Sequence, residues 1–343
     1  MVHMSKRITV FGAYGHTANF VVAELRRRGF TPILAGRDAA KLHAESEIHA
    51  GSEVRVASVD DPASLDAAMD GSDAIINCAG PFLDTSVPLI ESAIRSRIPY
   101  LDIAAEQAAV LQVFERFSSD ARANEIVIAP ALAFYGGLGD LMATAALGDW
   151  DRADEIRIAV ALDSWHPTRG TRITGQRNPG PRYFFTNGVL ERGDPAPGSA
   201  WSFPEPFGTQ DVVSLSFAET IVISRHLRTN DIRAFLSQTA LQDVRDPDTP
   251  TPAAADASGR SSQIFLMDVI VRRGNEERRM FARGRDIYAT TAPIVVEAAE
   301  RILRGLARKK GVVAAGEAFD ARDFLDALSS IHLTVTTEAN VDR

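Results

Sequence analysis

Cysteine and lysine are both scarce in this chain of 343 residues. A single cysteine, Cys78, excludes an intrachain disulfide and suits a reducing compartment. Of the 37 basic residues only four are lysines, and the segment between Lys41 and Lys309 has none. Mechanisms that need a lysine from the middle of the chain are therefore excluded.

Long hydrophobic runs and an excess of positive charge are also missing. No apolar segment reaches the length that crosses a bilayer, and no secretory signal is recognised. The formal net charge of −8 argues against nucleic acid or an anionic membrane as the main partner. We therefore expect a cytoplasmic protein that acts on a small-molecule substrate.

Several catalytic motifs are absent as well. None of the five tyrosines is followed by a lysine four residues on, so the Tyr-x-x-x-Lys pair of short-chain dehydrogenases is missing. The sequence contains no His-Glu-x-x-His motif, no cysteine cluster and no phosphate-binding loop lysine. Metal-dependent hydrolysis and nucleotide hydrolysis have no support, and we expect no metal site.

Short apolar runs alternate with helical patterns over residues 1–130. The predicted strands are Arg7–Gly12, Thr31–Gly36, Glu53–Ser58, Ala74–Asn77, Tyr100–Ile103 and Glu125–Ala129. The predicted helices are Thr17–Arg28, Ala39–Ala50, Ala63–Met69, Ser86–Arg97 and Glu106–Ala123. Strands that alternate with helices form a parallel sheet covered on both faces. The predicted fold class is therefore α/β, with a doubly wound parallel sheet of the Rossmann type.

The pattern changes in the second part of the chain, where a mixed sheet is expected. Longer strands are predicted at Glu155–Asp163, Asp211–Ile223 and Gln263–Arg273, and a hairpin turn leads into Arg278–Ala282. The predicted loops are Arg192–Thr209 and Asp246–Ser262. A long helix is predicted over Thr290–Lys309, because its apolar residues form a stripe at helical spacing.

The stretch ITVFGAYGHTANFVVAEL, residues 8–25, places a glycine turn between a strand and a helix. Gly12 permits the tight turn, Gly15 lets backbone N–H groups approach a pyrophosphate, and Ala18 lets the helix pack on the sheet. The helix N-terminus supplies further N–H groups and partial positive charge. This context favours dinucleotide binding over an ordinary tight turn. The residues predicted to bind the cofactor here are Gly12, Tyr14, Gly15, His16 and Thr17.

The end of the second predicted strand distinguishes NADP from NAD. NAD enzymes place an acidic residue there to bind the ribose 2′-hydroxyl. Here the strand ends at Gly36 and is followed by Arg37, whose guanidinium suits the 2′-phosphate of NADP. Asp38 is expected to cap the next helix. Arg37 therefore predicts NADP as the cofactor, with NADPH preferred to NADH, and a solvated loop arginine is the alternative.

The next two strands end at the same edge of the sheet, where ligands bind in open α/β folds. Asp60 follows the third strand and is predicted to lie beside the adenine. Cys78 is expected to be a buried small residue rather than a nucleophile. Backbone after the fourth strand is expected to approach the nicotinamide, and the residues predicted to bind it are Asn77, Cys78, Ala79, Gly80 and Pro81.

The segments GAYGHTANFVVAEL, LAGRD, NCAGPF and YLDIAAEQ resemble the saccharopine dehydrogenase-like oxidoreductases, including their trans-acting enoyl reductase branch. GGLGDLMA, ARGRDIYATTAPIVVEAAERIL and GVVAAGEAF extend the resemblance over nearly the whole chain. The resemblance implies an NAD(P)-binding Rossmann domain, an inserted domain for substrate and often for dimerisation, and a terminal helix that returns to the first domain. We therefore expect a homodimer whose domains are residues 1–130, 131–287 and 288–343.

The second domain offers candidates for proton transfer and substrate binding. Residues 163–172 follow a predicted strand and are crowded with polar, aromatic and cationic groups, as a substrate pocket requires. The candidate proton donors are His166, Tyr183 and Tyr288. The candidates for binding a substrate carboxylate are Arg172, Arg177 and Arg182. Loop hydrogen bonding, ring packing and solvation are the alternative roles of these side chains.

The favoured function is an NADP-dependent oxidoreductase that transfers hydride to or from a C=N, C=O or activated C=C bond of a small molecule. A non-catalytic NADP-binding sensor or partner-binding protein is the alternative. The polar segment at residues 163–172 favours the enzyme, because a sensor does not need a proton donor. A third hypothesis is an enzyme that keeps NAD(P) bound through a reaction without net redox change.

Overall fold

The structure, a computed structural model, describes residues 5–177, 181–193, 195, 197–329 and 333–338. The strands are β1 Arg7–Phe11, β2 Thr31–Gly36, β3 Glu53–Val56, β4 Ala74–Asn77, β5 Tyr100–Asp102, β6 Val127–Ala129, β7 Glu155–Leu162, β8 Arg182–Thr186, β9 Val189–Gly193, β10 Ser199–Ser202, β11 Thr209–Ser214, β12 Asp231–Ser237, β13 Ile264–Arg273, β14 Glu276–Arg285, β15 Gly311–Val312 and β16 Leu333–Glu338. The helices are α1 His16–Arg27, α2 Ala39–Ile48, α3 Pro62–Met69, α4 Phe82–Ser96, α5 Gln107–Ala123, α6 Gly139–Leu147, α7 Arg169–Arg177, α8 Ala218–Ser224, α9 Gln238–Arg245, α10 Ile287–Leu303, α11 Ala315–Ala318 and α12 Ala321–Leu328.

Within the described residues, the first sheet is parallel and has the order β3-β2-β1-β4-β5-β6-β15. The order reverses between β1 and β4, which is the switch point where doubly wound folds bind their ligands. Ile8 and Val10 belong to the apolar core on one face, and Phe11 and Ile75 to the core on the other. Burial on both faces explains why these strands are short, nearly continuous apolar runs. All six predicted strands and all five predicted helices are present, although α4 begins at Phe82, four residues before the predicted Ser86, and β3 and β6 are each two residues shorter than predicted.

The second sheet is mixed and runs β10-β11-β12-β7-β13-β14-β16, with β8 paired to β12 and β9 among the described residues. Only the β12–β7 pair in that order is parallel. The predicted strand Asp211–Ile223 is wrong in its second half, since β11 ends at Ser214 and α8 follows. Ala218, Ile221 and Val222 recur at helical spacing and are buried in one core, which accounts for the helix. The predicted loop Arg192–Thr209 also contains β10.

The C-terminal part returns to the first sheet, as the resemblance implies. Helix α10 begins at Ile287, three residues before the predicted start, with Asp286 as its N-cap, and it ends at Leu303 rather than Lys309. It packs along α1, where Arg28 forms ion pairs with Glu297 and Glu300. The chain then adds β15 to the edge of the first sheet.

Helix α6 is preceded by a π-helical turn over Phe134–Leu138, which lies where the two sheets meet. A Cβ atom at Gly136 would lie 2.5 Å from the carbonyl oxygen of Ala131, so only glycine fits this turn. None of the described helices is long and apolar enough to cross a membrane. The described residues also contain no group of three or more histidine, cysteine or acidic side chains that would hold a metal ion.

Candidate functional site

The glycine turn joins β1 to α1 at the switch point of the first sheet. Gly12 has φ of +80°, and its N–H donates to the carbonyl of Ala35 at 2.8 Å. A Cβ atom at Gly12 would lie 2.8 Å from the Cβ of Ala79 and 3.0 Å from its backbone nitrogen. Gly15 is the N-cap of α1, and no side chain in the described part of the chain caps this helix end. The first turn therefore keeps the uncapped N–H groups that an anion needs.

Arg37 directly follows the end of β2. Arg37 is exposed and forms no hydrogen bond or ion pair with any described residue. Asp38 caps α2 by accepting from the N–H of Lys41 at 3.1 Å, which confirms its expected role. The ring of Tyr14 lies against Gly36, where an added Cβ would be 2.9 Å from Tyr14 Cε1. Asp60, past the end of β3, is exposed.

The turn after β4 is held by the side chain of Asn77, which is fully buried. Its Nδ2 donates to Thr85 Oγ1 at 3.0 Å and to the hydroxyl of Tyr100 at 3.1 Å. Its Oδ1 accepts from the N–H of Ala79 at 2.9 Å. The Asn77 side chain thus shapes the turn, whereas Cys78 and Gly80 line the adjacent cleft. Burial raises the pKa of the Cys78 thiol, so the thiol stays protonated.

A buried carboxylate continues this network across β5 and β6. Asp102 accepts from the N–H groups of Ala104 at 3.0 Å and Ala131 at 2.8 Å, and from the Tyr100 hydroxyl at 2.9 Å. Burial raises the pKa of Asp102 to about 6, against the lowering effect of these hydrogen bonds. Asp102 therefore fixes the strand ends that form one wall of the site, a role that the sequence analysis did not assign.

A cleft of about 900 Å³ lies between the two sheets. Thr17, Cys78, Gly80 and Phe82 line it from the first sheet's switch point. Side chains of α7, β8, α9 and the first turn of α10 line it from the opposite side. A ligand in the cleft would touch both parts of the chain.

The three candidate proton donors have different surroundings. His166 is half-buried, is absent from the cleft wall, and forms no hydrogen bond with any described residue. Tyr288 lines the cleft, but its hydroxyl accepts from Trp165 Nε1 at 3.0 Å and from the N–H of Thr168 at 3.3 Å, and it lies 2.9 Å from Thr171 Oγ1. Burial raises the pKa of Tyr288. The hydroxyl of Tyr288 is thus occupied in holding residues 165–171.

Tyr183 also lines the cleft, and its hydroxyl has no partner among the described residues. Its backbone is fixed by Gln107, whose amide accepts from the Tyr183 N–H at 2.9 Å and donates to the Tyr183 carbonyl at 2.8 Å. The ring packs against the core that contains Phe82, and the guanidinium of Arg192 lies 4.9 Å from its centre. The packing of the Tyr183 ring on this core joins β8 to the part of the first sheet nearest the cleft.

The three candidate arginines all line the cleft. Arg172 donates to the carbonyls of Asp246 and Thr249, at 3.1 and 2.5 Å, and so fastens the chain after α9. Arg177 pairs with Asp84 of α4 at 2.7 Å. Arg182 donates to the carbonyl of Ser216 at 2.8 Å, and no carboxylate of the described residues lies within ion-pair distance of it.

His16 joins the glycine turn to the second part of the chain. Its ring packs edge-on against Phe20 and Tyr288, with ring centres 5.3 and 5.6 Å apart. Burial lowers the pKa of His16, although Asp286 raises it. Its Nε2 is buried without a partner among the described residues.

Glu106 is a cleft residue that the sequence analysis missed. Its carboxylate accepts from the N–H groups of Phe82 at 3.1 Å and Leu83 at 3.0 Å, and so caps the N-terminus of α4 from another element. Burial raises the pKa of Glu106, while hydrogen bonds from Phe82 and from Thr174 of α7 lower it. The only signal in the sequence was its place in YLDIAAEQ, a segment of the resemblance.

Tyr135 and Glu219 were missed for a different reason. Tyr135 stacks on Phe217 at 4.2 Å, lines the cleft, and has a buried hydroxyl without a partner among the described residues. Glu219 is buried, and among the described residues only one of its oxygens has a partner, the N–H of Phe217 at 2.8 Å. Burial raises the pKa of Glu219 to about 7. These residues and Arg182 are far apart in sequence, so no local pattern unites them.

Comparison with known proteins agrees with this geometry. Residues 8–127 match the family model of the saccharopine dehydrogenase NADP-binding domain. A segment of 152 residues is 28% identical to a saccharopine dehydrogenase-like oxidoreductase of Bos taurus, and one of 117 residues is 32% identical to the protein of that name in Homo sapiens. These segments cover 39% and 29% of this chain, and only 35% and 27% of the relatives.

The fold of the whole chain is similar to that of apo histidine-tagged saccharopine dehydrogenase (L-Glu forming) from Saccharomyces cerevisiae. The TM-score is 0.70, and the match covers 98% of this chain and 100% of that chain at 14% sequence identity. Identity at this level shows the fold alone. The predicted resemblance is confirmed: the chain has the fold of saccharopine dehydrogenase, and residues 8–127 match the saccharopine dehydrogenase NADP-binding domain.

Proposed function

We propose that the chain is an NADPH-dependent oxidoreductase that reduces, or in reverse oxidises, a C=N, C=O or activated C=C bond of a small molecule. The observation that carries this proposal is the cleft, which joins the switch point of a dinucleotide-binding fold to a wall of tyrosine and arginine side chains. Such a cleft suits a substrate held against a cofactor, because it orients both reactants and excludes water.

The residues at the switch point fit a dinucleotide. Gly12 leaves no room for a Cβ beside Ala79, and the uncapped first turn of α1 offers N–H groups to a pyrophosphate. Arg37 is free to pair with a ribose 2′-phosphate, which is the basis for proposing NADPH rather than NADH. A nicotinamide dinucleotide bound here supplies or accepts a hydride.

Tyr183 is the proposed proton donor to the reducible group. It is the one candidate of the three that both lines the cleft and has a hydroxyl without a partner among the described residues. Its backbone is fixed to Gln107 on α5, so the ring keeps its position when a substrate enters. A missing proton donor lowers the rate of such reactions by about a hundredfold or more.

The test is oxidation of NADPH by the full chain with a panel of ketones, imines and conjugated enones. We expect turnover with at least one class, and we expect Tyr183→Phe to lower it about a hundredfold without changing the affinity for NADPH. His166→Gln is the matched control and should keep its activity. Normal turnover by Tyr183→Phe would contradict the proton-donor assignment.

The alternative, a non-catalytic NADPH-binding sensor, makes a different prediction for the same assay. A sensor binds NADPH tightly but oxidises it with no member of the panel. Failure to bind NADPH would contradict both proposals. The cytoplasmic location and the homodimer stay predictions from the sequence.

A further inference from the structure

The wall of the cleft carries charge of the opposite sign to the chain as a whole. Of the described residues that line it, five are arginines and one is a carboxylate, Glu106, whereas the formal net charge of the chain is −8. Glu106 is already committed to the N-terminus of α4. A cleft lined by one sign of charge concentrates ligands of the other sign.

Two of these five arginines, Arg182 and Arg245, interact electrostatically with each other and can share a ligand. Arg172 and Arg177 are held by two carbonyls and by Asp84, and Arg192 lies over the Tyr183 ring. Arg182 lies over the Phe217 ring at 5.0 Å, and among the described residues it donates one hydrogen bond, to Ser216, out of the five that a guanidinium offers.

Arg245, at the end of α9, forms no hydrogen bond or ion pair with any described residue. Burial lowers the pKa of Arg182 and the nearby charge of Arg245 lowers it further, whereas Glu219 and Tyr135 raise it. An anion held by both guanidiniums would relieve their mutual repulsion.

Beside Arg182 lie buried polar atoms that lack partners among the described residues. They are the hydroxyls of Tyr135 and Ser216 and one carboxyl oxygen of Glu219. Tyr135 is the one of these three residues that lines the cleft, so its unpartnered hydroxyl points to a polar ligand group at this end of the cleft. Burial raises the pKa of Tyr135, so its hydroxyl stays neutral and remains a donor.

The wall next to the two arginines is apolar. Leu241 and Val244 come from the same helix as Arg245, and Leu215 and Phe217 flank the residue to which Arg182 donates. A ligand anchored at the guanidiniums would therefore lay an apolar body along this wall.

We propose that the cleft takes a substrate with an apolar body and one carboxylate, which Arg182 and Arg245 bind and to which Tyr135 donates a hydrogen bond. The inference rests on the proposed function, since it assigns the substrate class of the same cleft. An anion fits because Arg182 and Arg245 both line the cleft, and Glu106, the one carboxylate among the described lining residues, is committed to α4.

Calorimetric titration of the full chain tests this, with octanoate as the probe, octanamide as the neutral match and glutarate as the polar match. We expect octanoate to bind at least tenfold more tightly than either, both with and without saturating NADPH. Arg182→Gln and Arg245→Gln should each weaken octanoate binding about tenfold to a hundredfold. Arg177→Gln, which removes the same charge from the cleft, should change it by less than threefold.

Three results would overturn the inference. They are equal binding of octanoate and octanamide, unchanged octanoate binding in Arg245→Gln, and a loss of NADPH affinity in place of octanoate affinity in the two variants. Arg245 is exposed, so its variant folds even if Arg182→Gln does not. Failure of the chain to bind NADPH would contradict the proposed function alone, because octanoate is also titrated into the free protein.

Discussion

Gly12→Ala should damage the chain far more than an alanine at a glycine with the same backbone conformation. Gly29 has φ of +81°, like the +80° of Gly12, but an added Cβ at Gly29 meets nothing within 4 Å. Alanine in this left-handed region costs about 1–2 kcal/mol, partly offset by about 0.4–1 kcal/mol from a less flexible unfolded chain. Gly29→Ala should therefore lower the free energy of unfolding by about 1 kcal/mol.

At Gly12 the same strain is joined by a steric overlap. The new Cβ would lie 2.8 Å from the Cβ of Ala79 and 3.0 Å from its backbone nitrogen, and backbone cannot move aside as a flexible side chain does. Overpacking of this kind costs about 1–3 kcal/mol more. We expect Gly12→Ala to lose about 2–4 kcal/mol of stability, and to displace the turn after β4 that lines the cleft.

Urea unfolding followed by tryptophan fluorescence measures both losses, and NADPH titration of the folded variants measures the functional effect. Gly29→Ala should bind NADPH as the parent does, whereas Gly12→Ala should bind it at least tenfold more weakly. Equal stabilities of the two variants, or normal NADPH binding by Gly12→Ala, would refute the close approach of the glycine turn to Ala79.

Three further predictions concern buried polar groups. Tyr288→Phe leaves the indole N–H of Trp165 without an acceptor and should lower stability by about 1–3 kcal/mol in urea unfolding; an unchanged midpoint would contradict the hydrogen bonds assigned to Tyr288. Glu219 has its pKa raised from 4.5 to about 7 by burial, so the folded state binds more protons between these values and stability falls as pH rises through them. Glu219→Gln should thus gain up to about 3 kcal/mol over the parent at pH 8 and little at pH 4, and an equal gain at both would contradict the shift. Burial lowers the pKa of His226, but the carboxylate of Asp140, 2.6 Å away, raises it by more. The ion pair therefore stabilises the folded state fully below pH about 6.5, and this stabilisation is lost as the pH rises through the raised pKa of His226. His226→Gln should lose more stability, relative to the parent, at pH 6 than at pH 9, and thermal unfolding at both values tests this.

The first sheet was predictable because its information is local. Apart from the edge strand β3, the strands are short apolar runs that are mostly buried, and the N-cap residues Asp38 and Asp61 mark where α2 and α3 begin. The cofactor edge follows from this order, since the ends of parallel strands meet on one side of the sheet.

The second sheet was harder to predict from the sequence, because its apolar pattern fits either a strand or a helix and its strands pair with partners far away in the chain. The apolar run after β11 satisfies either a strand or a helix, and packing against Phe82 and Val110 selects the helix over residues 218–224. β12 is parallel to β7, which precedes it by some 70 residues, so no turn residues in the sequence indicate that the two strands pair.

Side-chain roles were the least predictable part of the site. The crowding of residues 163–172 suggested His166, yet sequence does not show which way a loop side chain points. Tyr288 was a candidate proton donor, but the fold places the N–H groups of Trp165 and Thr168 at hydrogen-bond distance from its hydroxyl. Tyr135 and Glu219 meet because the π-helical turn and α8 pack together, a contact that neither segment encodes alone.

Titration of the chain with NADPH and NADH, in the parent and in Arg37→Ala, tests the central claim most directly. If the glycine turn binds NADPH with Arg37 on the 2′-phosphate, the parent binds NADPH at least tenfold more tightly than NADH. Arg37→Ala then weakens NADPH binding about tenfold to a hundredfold and leaves NADH unchanged, while Arg95→Ala, the exposed control on α4, changes neither. Equal binding of both cofactors by the parent, or an equal loss of both in Arg37→Ala, would contradict the account.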